Sequence, residues 1–404
     1  MISELLVPRK PITFTPLEEG RFIALSNDVP DVLKQPMIRS EGGLLKGYES
    51  GWRSGLIKSE NQLYKIKSCR PVGGKRGNQP RGSHVLSSAQ FEADDMLERR
   101  EVFLKNGFDY PLEPIGIWVY DHVKFNGESN AATLYRAKGD TRLDELIWWV
   151  ERSPYEYASS EYASQLSYAF DELGYQTGKR LKSFHENNFS WDSSPVTKAS
   201  NAHLGNIVIF PTDSGAAEVG MVDFDISIGY LDGDPKELQE TVKIIQKNDL
   251  TRFCYWMNTS EVVSRARRIK YFHPFVAGKI VDCVINQNIP DLDWEEEIET
   301  IGMAGGYLLR ALNPCEDIDN LKKEIWLGFK SGYKGSNIES EESQKMSITW
   351  DELARILGQA NKIRRNFIKR LKEEIGPDAD RNRIKELALF YDRRISQHTQ
   401  KTFG

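Results

Sequence analysis

The segment HLGNIVIF (residues 203–210), followed by GMVDFD (residues 220–225), decides the fold of this chain. Each segment contains a short apolar run typical of a β-strand, and the turn-forming sequence PTDSG lies between them. The pattern therefore predicts a β-hairpin. Asn206 precedes the first strand and Asp223 directly follows the second, so the hairpin brings both side chains to the same end.

A carboxylate and an amide oxygen that converge at one end of a hairpin are suitable hard ligands for Mg²⁺ held against phosphates. The alternative interpretation is structural, with Asn206 as a capping residue and Asp223 as a turn former. The spacing alone favours neither interpretation over the other.

The two segments resemble the catalytic loop and the metal loop of the protein-kinase-like superfamily. Their residue pattern is most similar to that of aminoglycoside and choline kinases and of atypical members such as selenoprotein O. Over roughly residues 40 to 230, the resemblance implies a two-lobed α+β fold with a small β-rich N-lobe and a large, mainly helical C-lobe. It also implies ATP and Mg²⁺ as cofactors, with Asn206 and Asp223 as the metal ligands. Asp225 replaces the glycine of the Asp-Phe-Gly motif, as acidic residues do in several small-molecule kinases.

One position departs from the superfamily pattern. An aspartate usually stands five residues before the metal-binding asparagine and accepts the proton of the substrate hydroxyl, but this chain has Asn201 there. A neutral amide cannot act as that base. His203 or Asp225 could replace it, or the reaction could proceed without a base because phosphoryl transfer depends mainly on positioning and charge neutralisation. The loss is compatible with AMP transfer and equally with a pseudokinase.

A lysine that binds the nucleotide is expected on the strand YKIK (residues 64–67). Lys67 fits the end of this pattern, but Lys65 lies on the same face of the strand and stays an alternative. In the helix that follows, Glu92 is the first choice as the acid that fixes the lysine against the phosphates, and Glu98 is the second. A solvated lysine pair and a surface glutamate are the structural alternatives.

A glycine-rich stretch, GYESGWRSG (residues 47–55), could close over phosphates through backbone N–H groups, with Gly51 and Gly55 as the cofactor-binding positions. Its spacing differs from that of a typical kinase glycine loop, so a simple turn between strands is the alternative. The resemblance places the backbone of residues 135–137 at the hinge between the lobes, facing the adenine.

The patterns along the chain divide it into four parts. Residues 1–36 predict an irregular N-terminal arm, residues 37–136 the N-lobe, residues 137–330 the C-lobe, and residues 331–404 a basic C-terminal helical extension. Strands are predicted at 55–58, 63–67, 116–120 and 131–136, and helices at 87–106, 141–151 and 160–186.

The composition is that of a globular protein, with 39% hydrophobic and 28% charged residues. A net charge of −5 gives no global reason to bind nucleic acid or an anionic membrane. The four cysteines lack the spacing of a zinc site or a disulfide framework. No run reaches the length of a membrane span, and the N-terminus lacks a secretory apolar region, so a cytoplasmic protein is expected.

Three hypotheses about function follow from these patterns. The first is an ATP- and Mg²⁺-dependent transferase that moves a phosphoryl or adenylyl group to a protein or small-molecule acceptor. The second is a nucleotide-binding pseudokinase with a regulatory or scaffolding role. The third is an α+β binding protein that contacts nucleic acid or a partner protein through its basic C-terminus.

Overall fold

The computed structural model describes residues 5–7, 9–51, 53–70, 75–76, 79–80, 84–151, 160–191, 202–223, 320–335 and 347–360, together with positions 240, 242–243, 246, 249–250, 253 and 362. Within these residues the chain is an α+β structure. A large antiparallel sheet forms its N-terminal part, and long helices with a small second sheet follow. The α+β class predicted from the sequence is confirmed at this level.

The elements follow each other in a simple order. The N-terminal part contains β1 (Pro11–Pro16), β2 (Arg21–Ala24), α1 (Asp31–Lys34), β3 (Met37–Ser40), β4 (Leu45–Glu49), β5 (Gly55–Ser59), β6 (Gln62–Lys67), β7 (Lys75–Arg76), β8 (Gln79–Pro80), β9 (His84–Val85), α2 (Leu86–Lys105), β10 (Leu112–Phe125) and β11 (Glu128–Ala137). The following part contains β12 (Thr141–Arg142), α3 (Leu143–Glu151), α4 (Ser160–Glu186), a 3-10 turn (Leu204–Asn206), β13 (Ile207–Pro211), β14 (Ala217–Met221) and α5 (Asn320–Lys334).

The large sheet has the order β2-β10-β11-β6-β5-β4-β1-β3, and β9 pairs with β11. Strand β6 lies between β5 and β11, with Lys65 opposite both Leu56 and Tyr135. Because residues opposite each other in a sheet share a face, these three side chains lie on the same face. Leu56 and Tyr135 belong to the buried cluster that also contains the apolar side chains of α4 and β13, so this face looks toward the helical part.

The prediction of an irregular arm over residues 1–36 is wrong where β1 and β2 form. Strand β1 pairs with both β3 and β4, and β2 extends the sheet beside β10. The sequence signal is weak because both strands are short and because β1 begins and ends with a proline. Their strand conformation is fixed by partners that lie far away along the chain, which a local pattern does not contain.

The helix predicted at 87–106 corresponds to α2, which begins one residue earlier, at Leu86, after Val85. The helix predicted at 141–151 is α3, preceded by β12 rather than by another helical turn, because Thr141 and Arg142 pair with β13.

Helix α4 covers the predicted range 160–186, and α5 packs along it. Residues 350–360 are also helical, whereas 363–404, which include most of the predicted basic extension, lie outside the described residues. Among the helices that are described, none combines the length and the apolarity needed to cross a membrane. The predicted boundaries between the four parts of the chain stay a prediction.

Candidate functional site

The predicted hairpin forms and places Asn206 beside the residue that precedes Asp223. Strands β13 and β14 pair from Ile207 opposite Met221 to Pro211 opposite Ala217. Just outside the Ile207–Met221 pair, the Val222 amide donates to the Asn206 carbonyl at 2.9 Å. Asn206 is buried, and Asp223 follows with a φ of +66°, a left-handed conformation that is uncommon outside glycine. Such strained positions concentrate at functional sites.

Lys67 joins this end of the hairpin to the large sheet and to α2. Its Nζ atom forms an ion pair with Asp223 Oδ1 and lies 2.7 Å from Glu92 Oε1. Of the two lysines and two acids that the sequence left open, Lys67 and Glu92 form the ion pair, and their role in nucleotide binding stays a prediction. One ammonium group thus connects three elements that are distant along the chain.

Glu92 is held by two further groups. The Tyr135 hydroxyl donates to Glu92 Oε1 at 2.7 Å, and His84 Nδ1 lies 3.2 Å from Glu92 Oε2. Burial opposes the charge of this carboxyl, but Lys67 and His84 hold its pKa well below the ordinary value. Glu92 is therefore an ionised, fixed partner for the lysine.

Lys67, Glu92 and Asp223 form a group of charges that we call the ion cluster. The contacts among them also set the pKa of each member. Lys67 lowers the pKa of Asp223 to about 2, against the effect of burial. Burial acts to lower the pKa of Lys67, but Asp223 and Glu92 outweigh it, and that pKa is raised. One ammonium thus faces two carboxylates at the hairpin end, and the guanidinium groups of Arg53 and Arg142 also act on Lys67 and Asp223.

Lys65 belongs to a second, neighbouring cluster rather than to the first. Its Nζ atom lies 2.5 Å from Asp140 Oδ1, and the Ser50 hydroxyl donates to Asp140 Oδ2 at 2.5 Å. All three residues are buried. Burial and Arg142 lower the pKa of Lys65 to about 8, against the attraction of Asp140. The sequence pattern did not identify Asp140, because only the folded chain brings its carboxylate next to Lys65.

The two glycines predicted to bind phosphate differ in their surroundings. Gly51 has a φ of +77°, and a Cβ there would meet open space, so the turn itself requires glycine. Gly55 lies within β5, where a Cβ would lie 2.4 Å from the ring of Phe14. Packing alone thus explains Gly55. A role in phosphate binding stays a prediction for both positions.

The catalytic residues predicted from the sequence are described only in part. Asn201 and Asp225 lie outside the described residues. Burial lowers the pKa of His203 to about 4, although Asp223 acts to raise it and Arg142 lowers it further. His203 is therefore a neutral imidazole at neutral pH and a weak base. Its role as a base stays a prediction.

Two residues that the sequence pattern missed contact the loop that contains His203. Arg142 Nη1 donates to the Gly205 carbonyl at 2.8 Å. The carboxylate of Asp144 lies against the same glycine, because a Cβ on Gly205 would be 2.8 Å from Asp144 Oδ2. The pairing of β12 with β13 positions both side chains, and this pairing between distant segments has no signature in the local sequence.

The low pKa of His203 predicts how stability depends on pH. The unfolded chain holds a proton on this histidine below its ordinary pKa of about 6.5, whereas the folded chain does not until about pH 4. Stability contributed by neutral His203 is therefore lost as the pH falls through this window, with a slope of up to about 1.4 kcal/mol per pH unit.

A His203→Gln variant is expected to lose stability less steeply between about pH 6.5 and pH 4. Urea unfolding at a series of pH values measures this slope. His122, changed to Gln, is the matched control and should keep the wild-type slope, because its side chain is exposed. Equal slopes for wild type and His203→Gln would contradict the assignment.

The residues at this end of the hairpin suit a metal ion whose remaining coordination positions are filled by the phosphates of a bound substrate. Within the described ranges, no group of three or more histidine, cysteine or acidic side chains is positioned to hold a metal ion. Mg²⁺ is usually bound through one or two carboxylates together with substrate phosphates. Asp223 and Asn206 match such a donor set, and their role as metal ligands stays a prediction.

No family model matches the sequence, and no curated protein matches it. Among solved structures, the chain is similar to a MAP kinase from Leishmania major at 15% identity, covering 86% of this chain and 94% of that chain, with a TM-score of 0.23. It is also similar to a glucosamine kinase solved with glucosamine, ADP and inorganic phosphate, at 15% identity, covering 88% of this chain and 80% of that chain, again with a TM-score of 0.23. Both neighbours are kinases, but superpositions this distant carry no argument about the site.

Proposed function

We propose that this chain is an ATP- and Mg²⁺-dependent transferase with a two-lobed, kinase-like fold. The observation that carries the proposal is the position of Lys67, whose ammonium group contacts both Glu92 and Asp223. A strand, a helix and the end of a hairpin thereby meet at one cation beside Asn206.

This arrangement supports phosphate binding for two reasons, the fixed orientation of the lysine and the charge that a metal would supply. A lysine fixed by a glutamate is already oriented toward the phosphates, so little side-chain entropy is lost when they bind. The carboxylate of Asp223 and the amide of Asn206 would hold the metal, which supplies the charge that neutralises the phosphate oxygens. Ion pairing with Lys67 keeps Asp223 ionised well below neutral pH, as a metal ligand must be.

The reaction class that we propose is transfer of a phosphoryl or an adenylyl group to a protein or a small molecule. Asn201 cannot accept a proton and His203 is a weak base, so Asp225 is the candidate base that is left for this site. Both transfers depend mainly on alignment and charge neutralisation, which Lys67, Asn206 and Asp223 can supply.

A nucleotide-binding pseudokinase is the second candidate. The replacement of the usual aspartate by Asn201 favours it, because a neutral amide at that position provides no base. The two candidates share the nucleotide site and differ only in whether a bond of ATP is broken. Incubation with ATP labelled at the α- or the γ-phosphate separates them, since label on an acceptor identifies adenylyl or phosphoryl transfer and no release of label identifies the pseudokinase.

Thermal unfolding with and without Mg²⁺·ATP tests the binding site itself. At a nucleotide concentration of about 100 Kd, the wild type is expected to gain about 2.7 kcal/mol of stability. Asp223→Asn should lose most of this gain, because the variant removes the ionised ligand. The control is Asp213→Asn, at the exposed turn at the other end of the same hairpin, which should keep the full gain.

Two results would contradict the proposed function. One is a wild type that Mg²⁺·ATP does not stabilise. The other is an Asp223→Asn variant that is stabilised as much as Asp213→Asn, because the metal and the phosphates would then bind elsewhere.

A further inference from the structure

Residues 5–7 and 9, which we call the N-terminal segment, are bound to the chain just after the large sheet ends. Arg9 forms two hydrogen bonds with the Glu145 carboxylate, at 2.5 and 2.6 Å. The Arg9 Nη2 atom also donates to the Asp140 carbonyl at 2.5 Å. Nearby, the Leu6 amide donates to Thr141 Oγ1 at 3.1 Å. The segment is therefore fixed by charge-assisted and backbone hydrogen bonds, not only by apolar packing.

The segment lies inside the molecule. Leu5, Leu6 and Val7 are all buried, and the Arg9 side chain is only 8% exposed. The three apolar residues belong to the same buried cluster as Leu56 and other side chains on the helix-facing side of the sheet. A charged arginine is rarely buried unless it is paired, and here Glu145 and Asp140 supply the pairing.

Strand β6 relates this segment to the proposed phosphate site. Its Lys67 end carries the ion cluster, and its Leu63 end lies opposite Ala137, where the sheet connects to β12. The distance between these ends is about 13 Å, which is enough for a nucleoside. A nucleotide with its phosphates at Lys67 would extend along this face toward the connection.

The middle of that path is taken up by charged groups. Lys65, between Leu63 and Lys67, is bonded to Asp140, and Arg9 Nη2 lies 3.8 Å from Asp140 Oδ2. Ser50, next to the turn at Gly51, is bonded to the same carboxylate. These contacts connect the N-terminal segment, the connection after β11 and the β4–β5 turn around Asp140.

We propose that the N-terminal segment fills the part of the site where the ribose and the base of a nucleotide would lie, and that it must move before a nucleoside triphosphate binds fully. The inference rests on the proposed function, because it presumes that phosphates bind at Lys67. It distinguishes two halves of one site. The phosphate half is the part around Lys67, which a ligand without a nucleoside would use, whereas the N-terminal segment covers the nucleoside half.

The fraction of molecules in which the N-terminal segment has moved away sets the apparent affinity for ATP. If the segment leaves its position for only about 1% of the time, the apparent affinity for ATP falls about 100-fold relative to an open site. A ligand that needs only the phosphate half is not weakened in this way. Removing the Arg9 contacts therefore strengthens the binding of ATP selectively.

The test compares Mg²⁺·ATP with Mg²⁺·tripolyphosphate by titration calorimetry on the full chain. Arg9→Ala is expected to bind ATP at least about 10-fold more tightly than the wild type, with tripolyphosphate affinity unchanged within about twofold. Arg21→Ala is the matched control, because Arg21 also lies in the N-terminal region but is exposed and pairs with the exposed Asp121. It should leave both affinities unchanged.

Glu145→Gln provides a second variant that weakens the hold on Arg9 and keeps the arginine in place. It should also strengthen ATP binding, by less than Arg9→Ala. Unchanged or weaker ATP binding in both variants, with tripolyphosphate still bound, would overturn this inference alone. Failure of the wild type to bind tripolyphosphate would overturn the proposed phosphate site, and this inference with it.

Discussion

A Lys67→Met variant is expected to lower the free energy of unfolding by about 3 kcal/mol, even without any ligand. The substitution leaves the carboxylates of Glu92 and Asp223 near each other without the ammonium group that lies between them. Glu92 has a side chain only 12% exposed, so water does little to compensate for the lost charge. Urea unfolding at neutral pH measures the loss.

A second substitution distinguishes the loss of charge from the loss of packing. Adding Glu92→Gln to Lys67→Met removes one of the opposed charges and should recover part of the lost stability. Lys46→Met, on the exposed surface of β4, is the control and should change stability by less than about 0.5 kcal/mol. If the double variant is less stable than Lys67→Met, the carboxylates are not the source of the loss, and the electrostatic explanation is wrong.

A Gly328→Ala variant should also cost about 3 kcal/mol or more, through packing rather than charge. Helices α4 and α5 are in backbone contact, and a Cβ on Gly328 would lie 1.9 Å from the carbonyl oxygen of Asp171. A glycine of α4 makes a similar contact with α5, since a Cβ on Gly178 would lie 2.1 Å from the carbonyl oxygen of Phe329. Backbone atoms cannot rotate away as a side chain does, so the helices must move apart.

Thermal or urea unfolding of Gly328→Ala tests this packing, with Gly358→Ala as the control. Gly358 lies in the helical residues 350–360, and a Cβ there meets open space. Alanine should therefore stabilise that helix by about 0.5–1 kcal/mol, in line with its helix propensity. Loss of stability in both variants to the same extent would contradict close packing of α4 on α5.

The ion cluster could be predicted from the sequence only in part. The sequence indicated a strand with two candidate lysines and a helix with two candidate acids. Alternation puts Lys65 and Lys67 on the same strand face, so no local rule separates them. The separation comes from their partners, because Lys65 forms an ion pair with Asp140, whereas Lys67 forms ion pairs with Asp223 and Glu92.

The structure of the N-terminal region also depends on contacts that a local sequence pattern does not contain. Its prolines and weak periodicity predicted an irregular arm, yet β1 is an inner strand of the sheet, between β4 and β3. The buried position of Arg9 also had no signal in the sequence, because an arginine near proline residues is typical of an exposed segment. Both features depend on partners that lie outside the local sequence, such as Met37 opposite Pro16 and Glu145 bound to Arg9.

The sequence by itself determined the β-hairpin that ends at Asp223, helix α4 over 160–186 and the α+β class. These features follow from short-range patterns, namely apolar runs, turn residues and helical periodicity, which lie within a few residues of each other. Only the tertiary structure decided that Lys67 pairs with both Glu92 and Asp223, and that Arg9 is bound at Asp140 and Glu145. The reason is physical: ionic contacts and burial form between segments that are distant along the chain, and their energies depend on the position of each partner in the folded protein.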